Sequence, residues 1–159
     1  MKIEYLADNI ALVPIIAHWH HEEWGYFNPG DSVEKRIANL QTHLAKKQIP
    51  TTFVSMSGGI LLGSASLITH NMDTRMDLFP WLASVYVTPE HRSRGIGTGL
   101  VQRVIEEAVE LSVETLYLFT PDREGFFASL GWSVVEHTEY REQKVVIMAL
   151  HIMDINIAA

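Results

Sequence analysis

The sequence predicts a single α/β domain that spans residues 1–159. Stretches with strand periodicity alternate along the chain with amphipathic helical stretches, which is typical of the α/β class. No linker-like run, internal repeat or low-complexity segment divides the chain, and 159 residues suffice for one sizeable core. The third and most informative observation is a glycine- and arginine-rich junction between a strand and a helix at residues 85–100.

The first half of the chain predicts a strand, two helices and a hairpin. Asp8 or Asn9 is a candidate cap for the first helix, and Asp31 with Glu34 has capping-box spacing ahead of the second. Glycines in Ser57–Gly59 supply the positive φ that a tight hairpin turn requires. The predicted bounds are Lys2–Leu6 for the first strand, Ile10–Trp24 and Val33–Ala45 for the helices, and Thr51–Met56 and Ile60–Thr69 for the hairpin strands.

The second half predicts a central strand, two helices and three further strands. Pro80–Thr88 carries apolar residues on both faces, which predicts a strand buried on both sides. Gly95–Leu111 is the clearest helix because its apolar residues form one broad face. Gly131 is a natural residue just past the end of a short helix. The remaining predicted elements are the strands Thr115–Thr120, Trp132–Glu136 and Lys144–His151 and the helix Asp122–Leu130.

The composition excludes several classes of function. The chain has no cysteine, which excludes disulfides, thiolate metal sites and a cysteine nucleophile and is expected of a cytoplasmic protein. Its formal net charge of −7 argues against nucleic acid as a partner. Met1–Tyr5 lacks the apolar core of a signal peptide. No apolar run reaches the roughly 18 residues of a membrane span, so no membrane partner is expected.

The run at residues 85–100 places a strand end, a glycine-rich turn and a helix start in direct succession. Converging backbone N–H groups and the positive end of the helix dipole make such a junction a phosphate-binding site. His91, Arg92, Arg94 and Arg103 are expected to add positive charge around the turn. The pattern predicts a polyanionic ligand, and the acidic remainder of the chain is suited to attracting a cationic amine.

The glycine turn also resembles other phosphate-binding and structural turns. A Walker A loop requires a lysine that is absent here. A Rossmann fingerprint requires Gly-x-Gly-x-x-Gly, whereas the spacing here is Gly95-x-Gly97-x-Gly99. An ordinary turn that uses glycine for its dihedral angles, or a nucleotide-phosphate site, stays open on the glycines alone. Arg92, three residues before the first glycine and just after a strand end, favours a more specific interpretation.

The pattern Arg92-x-x-Gly95-x-Gly97 resembles the acetyl-CoA-binding motif of the GCN5-related N-acetyltransferases, the GNAT family, and the likeness is best from Trp81 to Val135. The resemblance implies a mixed central sheet of about seven strands with helices on both faces, splayed between the fourth and fifth strands. It also implies acetyl-CoA as co-substrate and transfer of its acetyl group to a primary amine by direct attack on the thioester. The cofactor-binding residues that it implies are Val85, Tyr86, Val87, Arg92, Ser93, Arg94, Gly95, Ile96, Gly97, Thr98, Asp122, Phe126 and Phe127.

Acetyl transfer has three chemical requirements. The amine must be neutral, the carbonyl oxygen needs hydrogen-bond donors as it becomes negative, and the leaving thiolate benefits from a proton. By the resemblance, a backbone N–H group of the splayed strand at Val85–Val87 polarises the carbonyl. The family usually has a tyrosine near the CoA sulfur, and Phe127 stands in its place, while Asp122 stands where asparagine is often found.

The absence of that hydroxyl leaves two interpretations open. The enzyme protonates the thiolate through water or another group, because a thiolate is already a tolerable leaving group. Alternatively, the protein is a non-catalytic acyl-CoA-binding or sensor protein. No catalytic residue is assigned, since the strand Trp81–Val87 contains no acidic residue to serve as a base. Candidates by residue type are His20, His21, Glu22, Glu23, Asp77 and Tyr140.

The histidine-rich stretch before Gly25 also suggests a metal site. A zincin helix needs His-Glu-x-x-His, and Trp24 stands where the second histidine belongs, so no metal is expected. The acceptor amine is open between small molecules, aminoglycoside-like amines and peptide or protein amines, although Leu116–Asp122 resembles the branch that acetylates protein N-termini. A homodimer through the C-terminal strands is common in the family and is undecided by the sequence. Candidates for lining an acceptor cleft are Trp19, Trp24, Tyr26, Phe27 and Phe79.

Overall fold

The computed structural model describes residues 1–152, which form a seven-stranded sheet with helices on both faces. The strands are β1 (Lys2–Tyr5), β2 (Thr51–Ser57), β3 (Ile60–Ile68), β4 (Trp81–Val87), β5 (Thr115–Thr120), β6 (Ser133–Tyr140) and β7 (Gln143–His151). The helices are α1 (Val13–Trp24), α2 (Val33–Gln41), α3 (Ile96–Glu110) and α4 (Glu124–Ser129). Residues 153–159 of the predicted domain lie outside the described residues.

The strand order across the sheet is β1-β2-β3-β4-β5-β7-β6. The pair β4 and β5 is parallel and every other neighbouring pair is antiparallel, so the sheet is mixed. This arrangement confirms the predicted α/β class and the predicted seven-stranded mixed sheet.

Most element bounds are confirmed with small shifts at the ends. Helix α2 ends one turn before the predicted end, at Gln41. Strand β6 is longer than predicted and continues past Glu136 to Tyr140. It turns into β7 through Arg141 and Glu142, which both have positive φ (50° and 67°). The predicted strand was too short because no glycine or asparagine in the sequence marks this turn.

The predicted helix caps are wrong for a local reason in each case. Helix α1 follows a short 3₁₀ turn at Ile10–Leu12, and neither Asp8 nor Asn9 caps it through a side chain. Ser32, not Asp31, caps α2, because its hydroxyl accepts a hydrogen bond from a backbone N–H of the first turn at 3.1 Å. The carboxylate of Asp31 contacts the side chains of His21 and Arg36 instead.

A helix layer and a buried core lie on each face of the sheet. Leu100 of α3 and Phe127 of α4 belong to the core on one face. Ile16 of α1 and Leu40 of α2 belong to the core on the other face. A third buried cluster around Trp81 lies beside the second core, under the loop that precedes β4.

Strands β4 and β5 separate soon after they meet. Trp81 and Tyr117 are the one residue pair that joins them within residues 1–152. Ser84 has a φ of +54°, and the register with β3 shifts between Ser64 and Ser66, so β4 carries a bulge. The predicted burial on both sides holds for the first half of β4. It is wrong for Val85–Val87, which are half-exposed because the strand diverges from its neighbour there.

Two histidines are buried under α1 and α2. Nε2 of His20 lies 3.2 Å from Oγ of Ser64, and Nδ1 of His43 lies 2.9 Å from Oγ1 of Thr52. Burial, with a smaller contribution from the positive charge of Arg36, lowers the pKa of His20 to about 3. Burial alone lowers the pKa of His43 to about 4. Both side chains are therefore neutral in the folded protein at pH 7.

Arg103 lies about two turns into α3, away from the glycine turn, which corrects the predicted cluster of positive charge. Its guanidinium lies 4.4 Å from the ring centroid of Phe53 and 3.2 Å from the buried carboxylate of Glu107. The Tyr5 hydroxyl donates to the same carboxylate at 2.8 Å, and burial together with this contact raises the pKa of Tyr5. These contacts join β1 to α3.

Candidate active site

A cleft of about 660 Å³ opens where β4 and β5 separate. Its α3 end comprises the lining residues from His91 to Thr98 and from Thr120 to Phe127. Its α1 end comprises Glu23, Trp24, Tyr26, Phe27, Asn28, Arg36, Asn71, Tyr140, Arg141 and Gln143. All residues predicted to bind a cofactor line the cleft, except Arg94, which is exposed outside it.

The turn before α3 presents backbone donors to the cleft. Ser93 and Gly95 both have left-handed conformations, with φ of 63° and 83°, and α3 begins at Ile96. Within residues 1–152 no side chain caps this helix start, so its first N–H groups are available to a ligand. They lie at the positive end of the helix dipole, which makes the turn a site for an anion.

Arg92 is fixed across this end of the cleft by two contacts. Its Nε donates to the carbonyl oxygen of Val87 at 2.9 Å, and its guanidinium lies 5.6 Å from the ring centroid of Tyr86. Within residues 1–152 the terminal guanidinium nitrogens have no partner, so they can meet an anion at the turn. Burial raises the pKa of Tyr86, although the positive charge of Arg92 opposes that shift.

The bulge in β4 forms the middle of the cleft wall. Ala83 and Tyr86 pair with β3, whereas Ser84 and Val85 fall between these pairs. A bulge re-aims backbone groups away from the ladder, and such N–H groups can donate to a carbonyl oxygen that becomes negative. β3 approaches the bulge closely at Gly63, where a Cβ would lie 2.5 Å from the carbonyl oxygen of Tyr86.

Helix α4 and the loop before it close the α3 end on the β5 side. Oγ1 of Thr120 accepts hydrogen bonds from the backbone N–H groups of Asp122 and Arg123, at 3.4 and 3.0 Å. Phe127 lines the cleft and packs edge-on against Phe126, with ring centroids 5.0 Å apart. The side chain at position 127 therefore meets the cleft as an apolar ring without a hydroxyl.

The structure brings two of the six catalytic candidates into the cleft, both at the α1 end: Glu23 and Tyr140. The Tyr140 hydroxyl accepts a hydrogen bond from the backbone N–H of Asp73 at 3.3 Å. The other four are engaged elsewhere, His20 with Ser64 (3.2 Å), His21 with Asp31 (2.6 Å), Glu22 with His18 (2.9 Å) and Asp77 with Arg75 (3.1 Å).

Three of the five aromatic candidates for an acceptor cleft lie in it, namely Trp24, Tyr26 and Phe27. Trp19 packs on Tyr86 instead, and Phe79 packs on His70 outside the cleft. No sequence pattern pointed to the polar residues of the α1 end, because segments distant in sequence bring them together. These are Asn28, Arg36, Asn71, Arg141 and Gln143.

Residues 1–152 contain neither a cluster of metal ligands nor a membrane-spanning helix. Among those residues no group of three or more His, Cys, Asp or Glu side chains is arranged to hold a metal ion. The same part of the chain has no helix that is long and apolar enough to cross a membrane.

The fold and the cleft together define a cofactor-binding α/β protein, in which a split parallel pair of strands leads to an uncapped helix start. In sequence, residues 14–132 match the acetyltransferase (GNAT) family. The chain belongs to this family. It is an acetyl-CoA-dependent N-acetyltransferase, which confirms the predicted cofactor and reaction and identifies no particular acceptor amine.

Similar solved structures share the whole fold at low sequence identity. An aminoglycoside 6′-N-acetyltransferase from Enterococcus faecium has a TM-score of 0.73 and 17% identity, covering 96% of this chain and 97% of its own. A ribosomal-protein-alanine N-acetyltransferase from Brucella melitensis has a TM-score of 0.69 and 22% identity, covering 95% and 99%. A Salmonella typhimurium protein solved with its cofactor acetyl-CoA has a TM-score of 0.70 and 20% identity, covering 96% and 94%. No curated protein matches the chain significantly.

Proposed function

We propose that acetyl-CoA lies along the cleft with its pyrophosphate at the turn Arg92–Thr98 and its thioester at the bulge in β4. The observation that carries this proposal is the uncapped start of α3 at one end of the split between β4 and β5. Beyond Trp81 the edge of β4 that faces β5 has no ladder partner within residues 1–152. An extended amide-containing arm such as pantetheine fits such an edge as an additional strand.

The acceptor amine enters from the α1 end and attacks the thioester carbon. The carbonyl oxygen gains negative charge as the carbon–nitrogen bond forms, and the N–H groups near Ser84 and Val85 stabilise that charge. The base takes a proton from the ammonium form before this attack. The intermediate then expels the thiolate of CoA, the nitrogen loses its second proton to water, and the thiolate takes up a proton from water. The products are the N-acetylated amine and CoA.

Glu23 is the proposed base, acting directly or through a water molecule. It is the carboxylate that lines the α1 end, whereas the carboxylate of Asp122 lies at the α3 end. Its neighbour Glu22 points away and pairs with His18. Glu23→Gln removes the base without changing the size of the side chain, and Glu22→Gln is the matched control.

The predicted result of Glu23→Gln is a large fall in kcat, of about a hundredfold, with the KM for acetyl-CoA unchanged. Equal kcat values for the Glu22 and Glu23 variants would remove Glu23 from this role and leave the cofactor site untouched.

The proposed pyrophosphate site is tested by Gly97→Asp. A Cβ at this position would lie 3.7 Å from Val87 and 3.9 Å from Phe126, which is ordinary contact, so the fold should survive. The added carboxylate would place negative charge beside the pyrophosphate, and calorimetry should detect no binding of acetyl-CoA. Gly58→Asp in the distant β2–β3 hairpin makes the same change of charge in open space and is the control. Unchanged affinity in the Gly97 variant would overturn the proposed site.

A further inference from the structure

The α1 end of the cleft carries two guanidinium groups and one carboxylate, from Arg36, Arg141 and Glu23. We propose that the acceptor is an amino-acid-sized primary amine that also bears a carboxylate, which the two arginines bind. This inference rests on the proposed function, because it assumes that the amine reaches the thioester from the α1 end. It goes further by assigning the chemical class of the acceptor.

Arg36 offers hydrogen-bond donors that the folded chain does not use. Its Nε donates to Oδ1 of Asp31 at 2.8 Å, which fixes the plane of the guanidinium. Its Nη2 is buried and has no hydrogen-bond partner within residues 1–152. Nη2 has almost no solvent-accessible surface, so a ligand in the cleft meets the exposed 15% of the Arg36 side chain, and the guanidinium attracts a carboxylate there by its positive charge.

Arg141 reaches the same end of the cleft from the turn between β6 and β7. Its guanidinium lies 4.8 Å from the ring centroid of Tyr140, which holds the group in place. It donates through Nη1 to Oδ1 of Asn28. The carboxylate of Asp73 lies 3.7 Å from Nη2, which is too far for a direct hydrogen bond. Arg141 therefore keeps N–H donors that can bind a planar ligand group with two acceptor oxygens.

A chain of contacts connects the two arginines. Asp31, which binds Arg36, donates its backbone N–H to the carbonyl oxygen of Asn28 at 3.0 Å. Asn28 in turn binds Arg141 through its side chain. Asn28 thus links the two arginines, and all three residues line the cleft.

The charges at this end match an amine with a carboxylate better than a polycation. The carboxylates of Asp31 and Asp73 pair with the arginines from behind and do not line the cleft. Glu23 is then left to receive the ammonium group of the acceptor before its deprotonation. An aminoglycoside or a polyamine would bring several positive charges to two guanidinium groups, which is unfavourable in a partly desolvated site.

The experiment compares L-amino acids of varied side chain with their carboxamides as acceptors, together with kanamycin and spermidine. Release of CoA thiol is measured, and the acetylated product is identified by mass spectrometry. The carboxamides have the less basic amines, with pKa values of about 8, and so offer more of the reactive neutral form at pH 7.5. A preference for the acids is then a matter of carboxylate recognition and not of amine reactivity.

We expect at least one acid with a kcat/KM about ten- to a hundredfold above that of its carboxamide, the range for a charge-assisted hydrogen bond. Arg141→Gln should raise the KM of that acid by a similar factor, raise the KM of the carboxamide much less and leave the KM of acetyl-CoA unchanged. Arg141→Lys should fall in between, because it keeps the charge and loses the fork. Arg75→Gln, which removes the same charge outside the cleft, is the control.

Equal rates for acids and carboxamides, a preference for the polycations, or an Arg141→Gln effect equal on both acceptors would overturn the inference. Acetyl-CoA binding without acetylation of any acid would overturn it too, while the proposed cofactor site stood. Failure of acetyl-CoA to bind the protein at all would overturn the proposed function and the inference with it. Calorimetry with acetyl-CoA alone therefore distinguishes the two failures.

Discussion

Acidification from pH 7 to pH 5 should destabilise the fold through His20 and His43, which are buried as neutral side chains. An unfolded histidine has a pKa of about 6.5, whereas the folded pKa is about 3 for His20 and about 4 for His43. Below pH 6.5 the unfolded chain therefore binds more protons than the folded one. The stabilisation is fully present above pH 6.5 and is lost as the pH falls towards the folded values.

The magnitude follows from the distance in pH between the unfolded pKa and the solution. At pH 5 each histidine of the unfolded chain has gained about 2 kcal/mol from its proton, because each pKa unit is worth about 1.36 kcal/mol. The folded chain has gained almost nothing, since pH 5 lies above both folded pKa values. The two residues together should lower the free energy of unfolding by about 4 kcal/mol.

Urea unfolding at pH 7 and pH 5 measures this difference directly. His20→Gln and His43→Asn place an uncharged nitrogen near the position that bonds Ser64 or Thr52, and each should remove about 2 kcal/mol of the pH dependence. A wild-type difference below about 1 kcal/mol, or variants with the full pH dependence, would refute the assignment of this effect to buried neutral histidines.

Three further predictions concern packing and chemistry. Gly63→Ala should lower the free energy of unfolding by about 2 kcal/mol or more and weaken acetyl-CoA binding. The reason is that the added Cβ would lie 2.5 Å from the carbonyl oxygen of Tyr86. Urea unfolding measures the first effect and calorimetry the second. Glu107→Gln should lower the free energy of unfolding by about 2 kcal/mol, because it leaves Arg103 without its ion pair. The affinity for acetyl-CoA should not change, and Glu106→Gln at an exposed position is the control. Phe127→Tyr should change kcat less than tenfold, because a thiolate with a conjugate-acid pKa of about 8.5 leaves readily; a larger gain would show that thiolate protonation limits the rate.

The sequence predicted the fold well where local chemistry decides the structure. The glycine turn of the β2–β3 hairpin, the apolar face of α3 and the glycine after α4 carry their own signals. The sequence did not predict the structure where contacts between distant segments decide it. Asp31 looked like a cap but binds His21 and Arg36, and the turn at Arg141–Glu142 takes positive φ without glycine. Neither outcome is encoded in neighbouring residues.

The candidate active site was likewise predictable only where one local segment forms it. The glycine turn at the α3 end is one continuous segment, and its arginine and glycine spacing predicted residues that the structure places along the cleft. The α1 end is assembled from α1, α2 and the β6–β7 turn, so Arg36 and Arg141 had no common signal in the sequence. The prediction that Arg103 adds positive charge near the turn is wrong, because Arg103 pairs with Glu107 instead. A sequence pattern shows the spacing of residues along a helix but not which neighbour a side chain binds.

The measurement that tests the central claim most directly is a thermal-shift and calorimetric titration with acetyl-CoA, NAD and ATP, followed by an assay of amine-dependent thiol release. A ligand at a hundred times its Kd should stabilise the protein by about 2.7 kcal/mol. We predict that acetyl-CoA alone does so, that Gly97→Asp abolishes the effect, and that an amine releases CoA thiol. Stabilisation by NAD or ATP but not by acetyl-CoA, or bound acetyl-CoA with no amine-dependent release, would contradict the account.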